Sequence, residues 1–189
     1  MKRKEEITKL LIVVDMVNGF IKEGKMSDKD INHITPRIKS LVEEYLSEGV
    51  SFIKDTHEID STEFKKYPPH CIKGTSESNL ISELAIYEKD SLSYEKNSTC
   101  TIFARNFMSD IERMKKLREV IITGCCTDIC VMNLAIPLVN YFDENNENVK
   151  VWVPENAVET FNSDTHNREE YNKMALKLMK NQGIGVDKI

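Results

Sequence analysis

The stretch Ile121-Ile-Thr-Gly-Cys-Cys-Thr-Asp-Ile-Cys130 has the residue types to present a sulfur nucleophile. Val120, Ile121 and Ile122 are β-branched and apolar, as a buried strand prefers. The pattern stops at Gly124, and Thr127 and Asp128 are helix-capping types followed by an apolar helical pattern. A thiol in the first turn of a helix meets unpaired N–H groups and the positive end of the dipole, both of which favour thiolate. Cys130 is therefore the candidate nucleophile, weighed against the commoner fate of a free cysteine as a small buried hydrophobe.

Other reactive side chains fall at the ends of predicted strands. Asp15 ends the apolar run Lys9 to Val14, Asp55 ends Val50 to Lys54, and Lys96 follows Ile86 to Glu95. In an open parallel sheet the carboxyl ends of the strands share one crevice, so these groups are expected to meet Cys130 there. An acid, a lysine and a thiol suit attack on a carbonyl. Asp15 would take the thiol proton and return it to the leaving group, and Lys96 would hold the negative charges in place. Taken singly, Asp15 also reads as a loop carboxylate and Lys96 as a surface lysine.

A second chemistry follows Asp55. Asp55-Thr-His57 puts two ligand-type side chains on one side of an extended segment, and Glu63 and His70 follow in the same loop. Two imidazoles and two carboxylates suit zinc, iron or manganese better than magnesium or calcium, which prefer oxygen shells. His33 and His166 have no such company and read as ordinary hydrogen-bonded histidines.

The elements that must position these groups alternate along the chain. A helix capped by Thr35, with Pro36 in its first turn, presents Ile38, Leu41, Val42, Tyr45 and Leu46 on one face and stops at Gly49. Residues 56–85 read as a long loop with short helical pieces. Phe107 to Arg118 reads as a helix. After Asp128 another helix carries Val131, Leu134, Ala135, Leu138 and Val139, with Pro137 expected to kink or end it. Val149 to Val153 is the fifth strand, Asp164 to Gln182 the last helix, and Ile184 to Val186 a short sixth strand. Continuous apolar strands between amphipathic helices predict a three-layer α/β/α domain spanning 1–189, with a mostly parallel, doubly wound, Rossmann-like sheet of about six strands.

Composition narrows the function classes. The chain has 189 residues, 40% of them hydrophobic, and 26 Lys plus Arg against 31 Asp plus Glu give a net charge of −5. That balance argues against a nucleic-acid footprint. The apolar run Leu10 to Val14 is too short for a membrane span or signal core, so a cytoplasmic protein is expected. Five cysteines without a Cys-x-x-Cys pair argue against a disulfide framework or a structural zinc knot.

Several motifs together resemble the nicotinamidase (pyrazinamidase) branch of the isochorismatase-like cysteine hydrolases. They are Val13-Val14-Asp15 with Asn18 and Phe20, Asp55-Thr-His57, Glu63-Phe64, Tyr67-Pro-Pro-His-Cys-Ile-Lys-Gly-Thr75, Glu95-Lys96 and Thr123-Gly-Cys-Cys-Thr-Asp-Ile-Cys-Val131. The likeness runs from about residue 9 to 161. It implies a triad of Asp15, Lys96 and Cys130, and metal ligands Asp55, His57 and His70 with Glu63 as the fourth. It further implies a cis peptide at Cys125–Cys126, an oxyanion hole formed by the Cys126 and Cys130 N–H groups, and aromatic walls from Phe20 and Tyr67. The implied reaction is hydrolysis of nicotinamide to nicotinate and ammonia through a thioester, in NAD salvage. Its cofactor would be one divalent metal, zinc before iron or manganese. A small amide would then be the partner, without nucleic acid or membrane, and a homo-oligomer is compatible.

Three departures stand out. Val17 replaces a Gln common in relatives, Gly19 replaces an acid, and the segment Asn97 to Phe103 differs and is one residue longer. These positions bear on the choice of amide. A relative acting on another small amide or carbamoyl compound, an isochorismatase-type hydrolase without the metal set, and a catalytically inactive binding relative are the competing readings.

Overall fold

The computed structural model describes residues 2–189. Six strands form one sheet: β1 (Lys9–Val14), β2 (Val50–Asp55), β3 (Leu92–Lys96), β4 (Glu119–Cys125), β5 (Lys150–Trp152) and β6 (Val158–Glu159). Their order is β3-β2-β1-β4-β5, β6 also pairs with β4, and every pairing is parallel. The helices are α1 (Asn18–Ile21), α2 (Thr35–Tyr45), α3 (Ser82–Ala85), α4 (Phe107–Arg113), α5 (Met132–Glu144) and α6 (Arg168–Asn181).

The three layers follow from the period-two alternation of strand side chains. Leu10, Ile12, Val14, Val120 and Ile122 face one side, where Phe107 and Ile111 of α4, Leu134 and Leu138 of α5 and Met179 of α6 pack on them. Leu11, Val13, Phe52 and Ile121 face the other, covered by Phe20 of α1 and by Ile38, Leu41 and Val42 of α2. Strands buried on both faces read as continuous apolar runs, hence the legibility of β1, β2 and β4. At the sheet edge β3 alternates buried and exposed residues, ending on buried Lys96.

The expected sixth strand is corrected. Ile184 to Val186 forms no strand but a single parallel bridge from Gly185 to Trp152, with hydrogen bonds to Val151, Val153 and Glu155, and the sixth strand is Val158–Glu159 beside the end of β4. Strand β3 starts at Leu92, because Glu88–Asp90 forms a 3₁₀ turn. Helix α4 stops at Arg113, and α6 begins at Arg168, where Asn167 caps it by accepting from the Glu170 N–H. Thr35 lies inside α2 and donates to Asn32 Oδ1, so it is not the cap. Pro137 does not end α5, which runs on to Glu144. A proline in a helix frees the carbonyl four residues earlier. Here that is Asn133, and the Cys100 thiol donates to it at 3.1 Å.

Two backbone features bring the strand ends close together. Gly124 has φ +106, and a Cβ there would lie 2.0 Å from the Val14 carbonyl oxygen, so only glycine lets β4 approach β1 this closely. Asp15 takes φ +52, a conformation rare outside glycine but tolerated by Asp, and its carbonyl accepts from the Cys125 thiol at 3.3 Å. The Cys125–Cys126 peptide is cis.

Candidate active site

The strand ends converge as the alternation of strands and helices requires. Lys96 Nζ is buried between two carboxylates, 2.8 Å from Asp15 Oδ2 and 2.6 Å from Asp55 Oδ1, and 3.6 Å from Cys130 Sγ. Asp15, Asp55, Lys96 and Cys130 are all buried. Apart from Lys96 and the Cys130 thiol, no group among the described residues donates to the Asp15 carboxylate.

Burial sets the proton affinities. It pushes Asp15 up to about 6, against the pull of the neighbouring Lys96 ammonium. For Lys96, burial would depress the ammonium, but Asp15, Asp55 and Cys130 together raise it well above the ordinary lysine value. Burial also pushes the Cys130 thiol well up, opposed by Lys96. Burial thus opposes the pull toward thiolate expected from the start of the turn, and Asp15 lies beside the sulfur, where it can take the thiol proton.

The turn carrying Cys130 also differs from the α-helical start read in the sequence. Residues Thr127–Val131 form a π turn with the Val131 N–H bonded to the Cys126 carbonyl, and α5 follows from Met132. A π turn at a functional position widens the helix by one residue and re-aims its side chains.

On the far side of Lys96, Asp55 turns its second oxygen to two imidazoles. Asp55 Oδ2 lies 2.8 Å from His57 Nε2 and 3.1 Å from His70 Nε2. The outer nitrogens settle the tautomers: His70 Nδ1 donates to the Pro68 carbonyl at 2.8 Å, and His57 Nδ1 donates to Asn97 Oδ1 at 2.8 Å. Both Nε2 atoms lie against the same Asp55 oxygen, where each can offer its lone pair to a cation. Three electron-pair donors within 4.8 Å of one another are the chemistry of a cation site, so the residues fit a divalent metal. Burial would raise Asp55, but Lys96 and both imidazoles hold it below the usual carboxylate range. Burial likewise would depress His57, and the Asp55 carboxylate outweighs it, raising the basicity of that ring.

Glu63 is not part of this three-residue cluster. It lies in the 3₁₀ turn Thr62–Lys65, on the wall of the pocket that Asp55 and His70 also line. Phe20, Tyr67, Cys126 and Cys130 line that same pocket, whereas Asp15, His57 and Lys96 reach it only through their contacts with Cys130 and Asp55. Thr99, from the departing segment Asn97 to Phe103, and Ile129, from the Cys130 turn, also line it, as do Met26 and Phe161, which carried no sequence signal. Asn97, which orients His57 and also accepts from Ser61 Oγ at 3.0 Å, showed in the sequence only as a departure after Lys96.

Residues 9–186 match the isochorismatase domain family. The chain is 29% identical over 170 residues to the isochorismatase family protein PncA of Bacillus subtilis strain 168, covering 84% of this chain and 90% of that one. It is 31% identical over 140 residues to nicotinamidase 1 of Arabidopsis thaliana, covering 65% and 57%. The crystal structure of nicotinamidase PncA from Bacillus subtilis superposes with a TM-score of 0.81 at 27% identity, covering 96% of this chain and all of the other. By the family match, and with a fold that agrees, this chain belongs to the isochorismatase family.

Proposed function

We propose that the chain is a metal-assisted cysteine amidohydrolase that converts nicotinamide to nicotinate and ammonia. One observation carries the reading: a single buried ammonium, Lys96, joins Asp15 and Cys130 to the carboxylate that gathers His57 and His70. Such a site joins a nucleophile with its base to a group that orients a substrate. The relatives named nicotinamidase point to the same amide.

In this mechanism Asp15 accepts the Cys130 proton as sulfur attacks the carboxamide carbon, and Lys96 steadies the charge shared among the three groups. The N–H groups of Cys126 and Cys130 receive the developing oxyanion. As the C–N bond breaks, Asp15 returns the proton to the leaving nitrogen and ammonia departs. Asp15 then draws a proton from water, whose oxygen attacks the thioester, and nicotinate leaves as sulfur recovers its proton. Phe20 and Tyr67 flank the ring. Asp55, His57 and His70 would hold the metal, with Glu63 as fourth ligand. Zinc, iron or manganese there would supply a Lewis acid for the ring nitrogen.

A second reading keeps the triad but changes the amide. Thr99, in the segment that departs from relatives, lines the pocket and favours considering other small amides or carbamoyl compounds. The test is ammonia release from nicotinamide by the purified protein, as isolated, after chelation and after metal is restored. Release that chelation abolishes and metal restores supports the proposal; metal bound without release leaves only the second reading.

A further inference from the structure

We infer that Asp128 and His166 form a positioning pair that fixes Phe161 as a ring-binding wall of the pocket and ties that wall to the turn carrying Cys130. This rests on reading the pocket as the amide site. Phe161 lies in the segment joining β6 to α6, where the only pairing is a bridge between Ser163 and His166. A loop side chain facing a cavity is ordinarily free to change rotamer. Here one imidazole restrains it from two directions.

The His166 ring stacks on Phe161 with centroids 3.9 Å apart and planes at 12°, and Tyr171 of α6 covers its other face at 3.7 Å and 29°. His166 Nδ1 donates to the carbonyl of Phe161 itself at 3.0 Å, and Nε2 pairs with Asp128 Oδ2 at 2.9 Å. The two contacts tie the ring through both of its nitrogens, one to the Phe161 backbone and one to Asp128. His166 and the Asp128 side chain are both nearly buried, which favours their pairing over exposure to water.

Asp128 stands two residues before Cys130 in the π turn, so the pair links the sulfur's own turn to the Phe161 backbone and ring. The rest of the segment is held separately: Arg168 Nε donates to the Thr160 carbonyl at 3.0 Å, and its guanidinium pairs with Asp28 at 2.5 Å. Neither Asp128 nor His166 lines the pocket, whereas Phe161 does. Their role is to position, and it is exerted on how the ring is held.

The test is a KM-against-kcat split with nicotinamide. Loss of one aromatic stack is expected to raise KM about three- to tenfold in His166→Gln and in Phe161→Leu, with kcat within about twofold. The double variant should be no worse than Phe161→Leu alone, because both changes remove one interaction. Asp128→Asn, which keeps an acceptor oxygen, should recover most of what Asp128→Leu loses. An unchanged KM with only a lower Tm, or additive losses in the double variant, overturns the inference. Should His166→Gln fail to fold, Tyr171→Leu probes the same stack from its other end, with the same KM rise expected and an unchanged KM overturning it. If the wild-type protein leaves nicotinamide intact, the proposed function fails and the pair is judged separately by alkylation of Cys130, read by peptide mass spectrometry. N-phenylmaleimide should then react several-fold faster than N-methylmaleimide, a preference that His166→Gln removes. A preference absent from the wild type, or kept in the variant, overturns the inference.

Discussion

Asp55 gives one carboxylate oxygen to Lys96 at 2.6 Å and turns the other to His57 at 2.8 Å. The nucleophile side and the metal side of the site therefore share one anion, and a change at Asp55 must act on both. Its negative charge raises the Cys130 thiol, and it supplies one of the three metal-ligand groups. Asp55→Asn is thus predicted to lose bound metal and hydrolysis, yet to let Cys130 alkylate faster than in chelated wild-type protein. Metal content and the iodoacetamide rate at Cys130 measure the two effects; a slower rate contradicts the coupling.

The acid side of the pH profile belongs to Asp15. It must be ionised to accept the thiol proton, and burial has pushed it up to about 6. The predicted kcat/KM is flat above that value and falls about tenfold per pH unit below it. Linkage runs the other way for stability. The folded state holds the Asp15 proton more tightly than the unfolded chain, so this group's contribution declines as pH rises from about 4 to 6. Asp15→Asn should therefore abolish turnover and remove this decline of stability between about pH 4 and 6. Thermal denaturation at pH 5 and 8 checks the sign.

Asn97 is predicted to control metal affinity without touching the metal. Its Oδ1 holds the His57 tautomer, and loss of such an outer partner weakens binding about 10- to 100-fold. Asn97→Ala should show that loss in competition with a chromogenic chelator, and Asn97→Asp, which keeps an acceptor, should recover most of it. Equal affinities in all three proteins would remove Asn97 from the site.

Much of this site can be read from the chain alone, because β-branched runs announce buried strands and parallel strands deliver their last residues to one crevice. Asp15, Asp55 and Lys96 follow from that rule, and the Gly124 turn places Cys130 among them. Asn97, Phe161 and His166 do not, since their partners lie far along the chain and a stack or a held tautomer leaves no periodicity. The π turn at Thr127–Val131 escaped for a related reason: one extra residue in a helical turn leaves the capping and apolar pattern of an α-helix unchanged. The short β6 went unseen because two residues beside the end of β4 carry no strand pattern of their own.

Gly19 illustrates a departure that the packing explains. A Cβ at that position would lie 2.6 Å from Cys71 Sγ and 3.1 Å from Glu77 Cβ, so this chain has no room for the acid found in relatives. Gly19→Ala is predicted to destabilise by about 1–3 kcal/mol, and adding Cys71→Ala should recover part of the loss. Urea denaturation of the single and double variants reads the coupling; strictly additive losses contradict it.

The central claim is that Cys130 performs the hydrolysis of nicotinamide. Its most direct test is ammonia release by metal-loaded Cys130→Ala, with folding confirmed by circular dichroism, beside the wild-type protein. The predicted result is steady release by the wild type and at least about a thousandfold less by the variant. A folded Cys130→Ala that keeps most of the activity would contradict it.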